Sequence, residues 1–271
     1  MLKLWEIYEG KKSQTTKNGR PNWCSNSTTW ETGRYVDAVA KWDQDGIAKF
    51  FAEADGGCDC DKKDAGCGPI AMAQIMRYYQ FPNGTLCWNG DCVQANYPLM
   101  DEHLSNDCGY PFNNNVRQSS ILIRACGLAA STQYGFLGGC ATWTISGNIN
   151  NGFSVMGYSN GGDWGTLNNK YPAVKSDLIS FHPVVFTGAT SIFGSNAHIW
   201  VGDGYSYTLN EYTSWMWDES SGEWYEGCVS QYTDYIAMNW GWNGNSNGYY
   251  FANFSFEGYD QWLRALTDIR P

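Results

Sequence analysis

Basic residues are scarce in this chain. Seventeen Lys and Arg stand against twenty-seven Asp and Glu over 271 residues, a formal charge of -10. The positive footprint that nucleic acid or an anionic membrane surface requires is therefore missing. Long apolar runs are missing too: no stretch approaches the roughly 20 residues of a membrane-spanning helix. Histidine is rarer still, with only His103, His182 and His198, and none stands at a metal-binding spacing from other ligands. Neither a metal nor a cofactor is expected, although Cys58 and Cys60 are close enough in sequence to be ligands. Charged residues make up 16% and hydrophobic ones 43%, which excludes a disordered chain and supplies the core of one large domain or two fused lobes.

Aromatics and cysteine are plentiful. Fourteen Trp and eighteen Tyr suit strands with large ring contacts and leave peptides or carbohydrates open as substrates. Ten cysteines are many for a reducing cytosol and lack zinc-ribbon spacing, so an oxidising compartment is expected. The first residues, MLKLWEIYEG, are too short and too charged for a signal peptide. The chain reads as a mature region or an expressed fragment.

The stretch DAGCGPIAMAQIMRYY, residues 64–79, places Cys67 at the start of an apolar helix. Pro69 suits the first turn, because its missing N–H would be unpaired there anyway. Only Gln74 and Arg77 interrupt the apolar residues before the tyrosines, so the helix reads as central and buried. A thiol at such an N-terminus feels unpaired N–H groups and the positive dipole end, which favour the attacking thiolate. Gly66 and Gly68 leave room for a substrate backbone. A structural cysteine, or half of a disulfide, would also suit this position.

Residues 1 to 40 show little periodicity and read as surface loop. A short helix is expected over Ile47–Ala54, a hairpin closed by Cys87–Cys92 after the central helix, and a second helix over residues 113–130. Glycine-rich sequence with room for a hidden helix or strand runs to about residue 165, and a helix begun near Pro172 ends by Ser180. HPVVFTGA, NAHIWVGDGY, DYIAMNWGW and GYYFANFSF then read as strands, with residues 209–231 inserted as a hairpin turning at Ser220-Ser221-Gly222. Helices first and strands second predict an α+β fold with the two parts face to face.

A cysteine nucleophile needs a base, an orienting group and oxyanion donors. His198 lies roughly 130 residues beyond Cys67, a separation found where two lobes each supply one partner. On the strand AHIWV, alternation sets His198, Trp200 and Gly202 on one face and Ile199 and Val201 on the other, which would turn the imidazole from the barrel core toward the helix. The same pattern accommodates an ordinary strand histidine. His182, before a proline, suits a cap or surface role, and His103 lies in polar loop.

Three blocks, GCGPIAMAQIMRYYQFP, HPVVFTG with NAHIWVGDGY, and MNWGWNGNSNGYY, resemble in kind and order those of the streptopain family, secreted bacterial cysteine peptidases of the papain clan. The resemblance implies a papain-like α+β domain over residues 1–271, with an extension of about 1–40, a helical lobe of about 41–165 and a sheet-rich lobe of about 166–271. It makes Cys67 the nucleophile and His198 the base. Gln44, in WDQ, would share the oxyanion hole with the Cys67 N–H. Asn239, Trp240 and Trp242 would orient and shield the histidine, with Trp242 also counted toward substrate binding.

Gly68-Pro69 departs from that pattern and is similar to the Cys-Gly-Pro start of bacteriocin-processing peptidases. The expected activity is a secreted or cell-surface endopeptidase acting through a thiolate–imidazolium pair and an acyl-enzyme, without a cofactor. A protein or peptide is its substrate, and a propeptide or an inhibitor protein is a further partner. A narrow processing peptidase and a non-catalytic binding protein on the same fold are the alternatives. With Cys67 reserved for catalysis, nine cysteines remain, so at least one cannot pair within the chain.

Overall fold

The computed structural model describes residues 24–271 apart from 89–90, 110, 112 and 193–195, and gives 86–88 and 91–93 by their backbone alone. The chain runs β1 (Ser27–Glu31), α1 (Cys67–Tyr79), β2 (Thr85–Trp88), β3 (Asp91–Gln94), α2 (Asn114–Ala129), β4 (Gln133–Tyr134), β5 (Thr142–Trp143), α3 (Gly147–Val155) and β6 (Asn160–Thr166). It continues through α4 (Leu167–Ile179), β7 (Val184–Ala189), β8 (His198–Asp218), β9 (Glu223–Asn239), β10 (Gly248–Phe251) and β11 (Gln261–Arg270). The main sheet orders its strands β10-β9-β8-β7-β11-β6, with β1 added beside β8. Two small antiparallel pairs, β2–β3 and β4–β5, lie outside it.

Alternation along the strands sorts the core into two sets. Ile199, Val201, Val185 and Leu266 pack with α1, α2 and α3, through residues such as Ile70, Met72, Met76 and Leu122. Trp200, Val184, Phe186 and Ala265 pack with Leu167, Val174 and Leu178 of α4. Period-2 side-chain geometry accounts for the division, because neighbours in a strand project to opposite faces. Helices thus serve both sets, whereas the sequence suggested a single helical half against a sheet.

Several expectations shift in detail. Residues 24–40 are not mere loop: β1 joins the sheet, and Cys24 is bonded to Cys228. The helix expected over Ile47–Ala54 is a 3-10 turn at Gly46–Lys49, because Asp45 provides no side-chain cap and the Ile47 N–H is given to Ser105. The helix expected to begin near Pro172 begins at Leu167, straight out of β6, and accommodates the proline in its second turn. The glycine-rich stretch contains α3 and β6, and α2 matches its expected span closely. The 209–231 segment prolongs two strands rather than interrupting them.

Two compact units are distinguishable among the described residues, Thr29–Thr208 with Thr233–Pro271, and 24–28 with Leu209–Tyr232. Within the described part of the second, the Cys24–Cys228 disulfide and a hydrogen bond from the Glu211 N–H to the Asn26 carbonyl hold the entering chain to the strands. Trp217 and Trp224 meet at 5.5 Å in that unit.

Cys58–Cys140 and Cys60–Cys108 are also bonded, which removes Cys58 and Cys60 from the ligand candidates. The β2–β3 register sets Cys87 opposite Cys92, but their side chains lie outside the described residues. Lys49, whose side chain is fully enclosed, is met by Asp45, Asp59 and Asp64 at 3.2–3.5 Å. An enclosed ammonium without such partners would be strongly destabilising. The cluster ties the 3-10 turn to the loop that delivers Cys67.

Candidate active site

Cys67 is the first residue of α1, as the Pro69 signal predicts. Gly66 precedes it at φ 91°, a left-handed conformation that a side chain rarely adopts. The expected vacancy beside the glycines is filled by the protein itself. A Cβ on Gly66 would meet Thr142 at 2.7 Å, and one on Gly68 would meet Thr144 at 2.8 Å. These glycines admit the β5 segment against the helix start, and the open space lies beyond it. A cleft of about 130 Å³ is lined by Cys67, Thr142, Trp143, Thr144, Ser146, Thr187, Ala197 and Ile199. The sequence blocks did not single out the lining segment at 142–146.

Cys67 and Ile199, the residue that follows the histidine, line the same cleft, and the Ile199 N–H acts on the thiol electrostatically. The imidazole stacks with Trp200 at 6.0 Å, while the side chains of Ile199 and Val201 belong to the core set that includes α1. His198 Nε2 lies 2.8 Å from the Trp240 carbonyl. The orienting contact is therefore at Nε2, and its partner is main chain. Trp242 stacks on the imidazole at 4.9 Å, and Trp200, Trp240 and Tyr259 stand within 6.0 Å.

The side-chain hydrogen bonds of Asn239 go to groups other than the imidazole. Its Oδ1 accepts the Gly241 N–H at 3.2 Å and the Gln74 amide at 3.0 Å, while its Nδ2 donates to Ala40 at 2.8 Å. It fastens the turn bearing Trp240 to α1. Gln44 lies nearby in the backbone network: its carbonyl accepts the Ala65 N–H, and the adjacent Asp43 bridges Trp242. His182 instead meets the Tyr79 hydroxyl through Nδ1, and His103 meets Asn243. The site thus gathers Cys67, His198, Trp240, Trp242 and the Gln44 segment, and leaves the other two histidines outside.

Burial dominates the electrostatics. It pushes the Cys67 thiol above its ordinary range, with the backbone N–H groups of Ile199, Gly68 and Cys67 opposing the shift. Desolvation of the thiol thus opposes the thiolate that the helix terminus favours. Burial likewise lowers His198 to about 4, partly offset by the Trp240 carbonyl. Each group by itself is held neutral. Charge can form economically only when the proton passes from sulfur to imidazole, creating two opposite charges together.

A model of the peptidase C10 family matches residues 42–250. Among solved structures, the active wild-type interpain A cysteine protease of Prevotella intermedia aligns with TM-score 0.61 and 16% identity, over 87% of this chain and 93% of that one. A prointerpain A fragment from the same organism gives TM-score 0.59 and 17% identity, over 89% of this chain and 73% of that one. No curated protein matches the chain.

Proposed function

Since the chain belongs to the peptidase C10 family and is a cysteine peptidase, we propose that Cys67 is its nucleophile and His198 its general base. The observation that supports this reading is the cleft lined by both Cys67 and Ile199, the latter directly following a histidine whose Nε2 is held by main chain. Substrate entering the cleft displaces water. Cys67 then passes its proton to His198, and the thiolate attacks the peptide carbonyl.

The Trp240 carbonyl steadies the imidazolium, and stacked Trp242 limits its rotation. The developing oxyanion is received by the Cys67 N–H at the start of α1 and by the Gln44 amide. His198 returns the proton to the leaving amine, and water hydrolyses the acyl-enzyme by the same base. The whole chain is read as one papain-like peptidase domain carrying an inserted hairpin. Three disulfides support an oxidising compartment, and hence a secreted or cell-surface enzyme. Interpain is known in a pro-form fragment, which supports a propeptide partner here as well.

The direct test is stoichiometric alkylation of the folded protein with a haloacetamide, followed by peptide mapping. Modification of Cys67 in parallel with loss of peptide hydrolysis is expected. Full turnover by protein modified at Cys67 would overturn the assignment.

A further inference from the structure

A set of hydrogen bonds leaves strand β8 at Asp203 and returns to it at His198. The Asp203 carboxylate accepts the Asp37 backbone N–H at 2.7 Å. The Asp37 carboxylate in turn accepts from Asn247 Nδ2 at 2.6 Å. Asn247 Oδ1 accepts the Trp240 N–H at 2.9 Å, and the Trp240 carbonyl faces His198 Nε2 at 2.8 Å. Asp37, Asp203 and Trp240 are all buried, so these groups lack the competing water that would make their bonds interchangeable. Arg34 pairs with the Asp37 carboxylate at 3.2 Å.

Trp240 is gripped on both sides. Its carbonyl belongs to the peptide joining it to Gly241, whose N–H is held by Asn239. Its own N–H belongs to the preceding peptide, and Asn247 holds that one. Two planar peptides fixed at either side of one residue leave its φ and ψ little freedom. The direction of the carbonyl that faces the imidazole is fixed with them.

We propose that Asp37 and Asn247 act as a pair of positioning residues for His198, setting the Trp240 carbonyl against Nε2 through the Trp240 backbone. The inference rests on the reading of His198 as general base. Asn247 reaches neither the thiol nor the imidazole, and Asp37 acts only through Asn247. Their contribution is to geometry: a base held at the wrong angle transfers its proton poorly even when every catalytic side chain is present.

An exchange of the two side chains tests this. Asn247→Asp sets a second carboxylate against Asp37, and kcat should fall by roughly tenfold to a hundredfold, with KM much less affected. The acid limb of kcat/KM should move to lower pH, because an imidazole deprived of its carbonyl acceptor takes up a proton less readily. Combining Asn247→Asp with Asp37→Asn restores the bond in reverse: the amide at position 37 donates to the carboxylate at 247, which still accepts the Trp240 N–H. Recovery of kcat and of the acid limb is expected.

A folded Asn247→Asp protein with wild-type kcat and pH profile would overturn the proposal, and so would failure of the exchange to recover either. Should Asn247→Asp not fold, Asp37→Ala takes its place, with the same loss expected and an unchanged profile counting against it. His198→Ala separates the two levels. Turnover retained in that variant removes the base assignment itself, whereas an inactive His198→Ala beside an unaffected Asn247→Asp removes only the positioning pair.

Discussion

Ala65 donates its backbone N–H to the Gln44 carbonyl at 2.9 Å, joining two segments just ahead of Cys67. The contact brings the Gln44 backbone beside the chain that enters α1, where the second oxyanion donor is proposed. Gln44→Ala should lower kcat by roughly a hundredfold or more, the scale set by loss of one such donor. Substrate affinity should barely change, since the bond tightens only as the carbonyl oxygen becomes an anion. Alkylation of Cys67 requires no oxyanion hole and should keep its rate. An unaltered kcat would send the search for the donor elsewhere.

The three histidines make a second test. His198→Ala should lose as much peptide hydrolysis as Cys67→Ala, because members of one catalytic unit do not contribute additively. His182→Ala should remain active and lose only its contact with the Tyr79 hydroxyl. Active-site titration of the three proteins checks the order, and an inactive His182→Ala beside an active His198→Ala would reverse the assignment.

What the sequence made legible follows from where the information resides. Cys67 was readable because a proline and an apolar run announce a helix start locally, and α2 because its periodicity is strong. Strand alternation correctly separated Ile199 from Trp200, but which set of helices each face meets is decided by tertiary packing. Lys49 was invisible as a buried residue, since its carboxylates come from positions 45, 59 and 64 and become partners only when the loop closes. Asp37, Asp203 and Asn247 are likewise ordinary polar residues in sequence, joined by bonds between distant segments. Gly66 and Gly68 were read as leaving room for a substrate backbone, whereas Thr142 and Thr144, from a β5 segment without sequence pattern, stand close against them.

Cysteine chemistry offers a third expectation. Mass mapping without reductant should find Cys24–Cys228, Cys58–Cys140 and Cys60–Cys108 as bridges. Cys67 should label in the folded protein and Cys126 only after unfolding, because Cys126 is buried and its thiol is pushed up by that burial. Replacing Cys58 and Cys140 together by Ser should cost about 2–4 kcal/mol of stability, the usual effect of opening a long cross-linked loop. Labelling of Cys126 at the rate of Cys67 in native protein would contradict the buried placement.

The final expectation concerns pH and stability, and it turns on Asp203. Burial first, and the negative Asp37 after it, push this carboxyl up to about 7, against the opposing pull of the Asp37 N–H and Arg34. An unfolded aspartate releases its proton near pH 3.9. Between these values the folded protein holds a proton that the unfolded chain lacks, so stability is fully present below the unfolded pKa and is lost as pH rises through about 7. His198 acts oppositely. Its folded pKa of about 4 lies below the unfolded value, so its contribution is lost as pH falls toward about 4. Asp203→Asn removes the first effect while keeping an oxygen to accept the Asp37 N–H. Measured in a Cys67→Ala background to prevent self-digestion, Asp203→Asn should gain on its parent between about pH 5 and pH 8 by on the order of a few kcal/mol. Parallel urea-unfolding profiles for the two proteins across that interval would show that Asp203 does not titrate there.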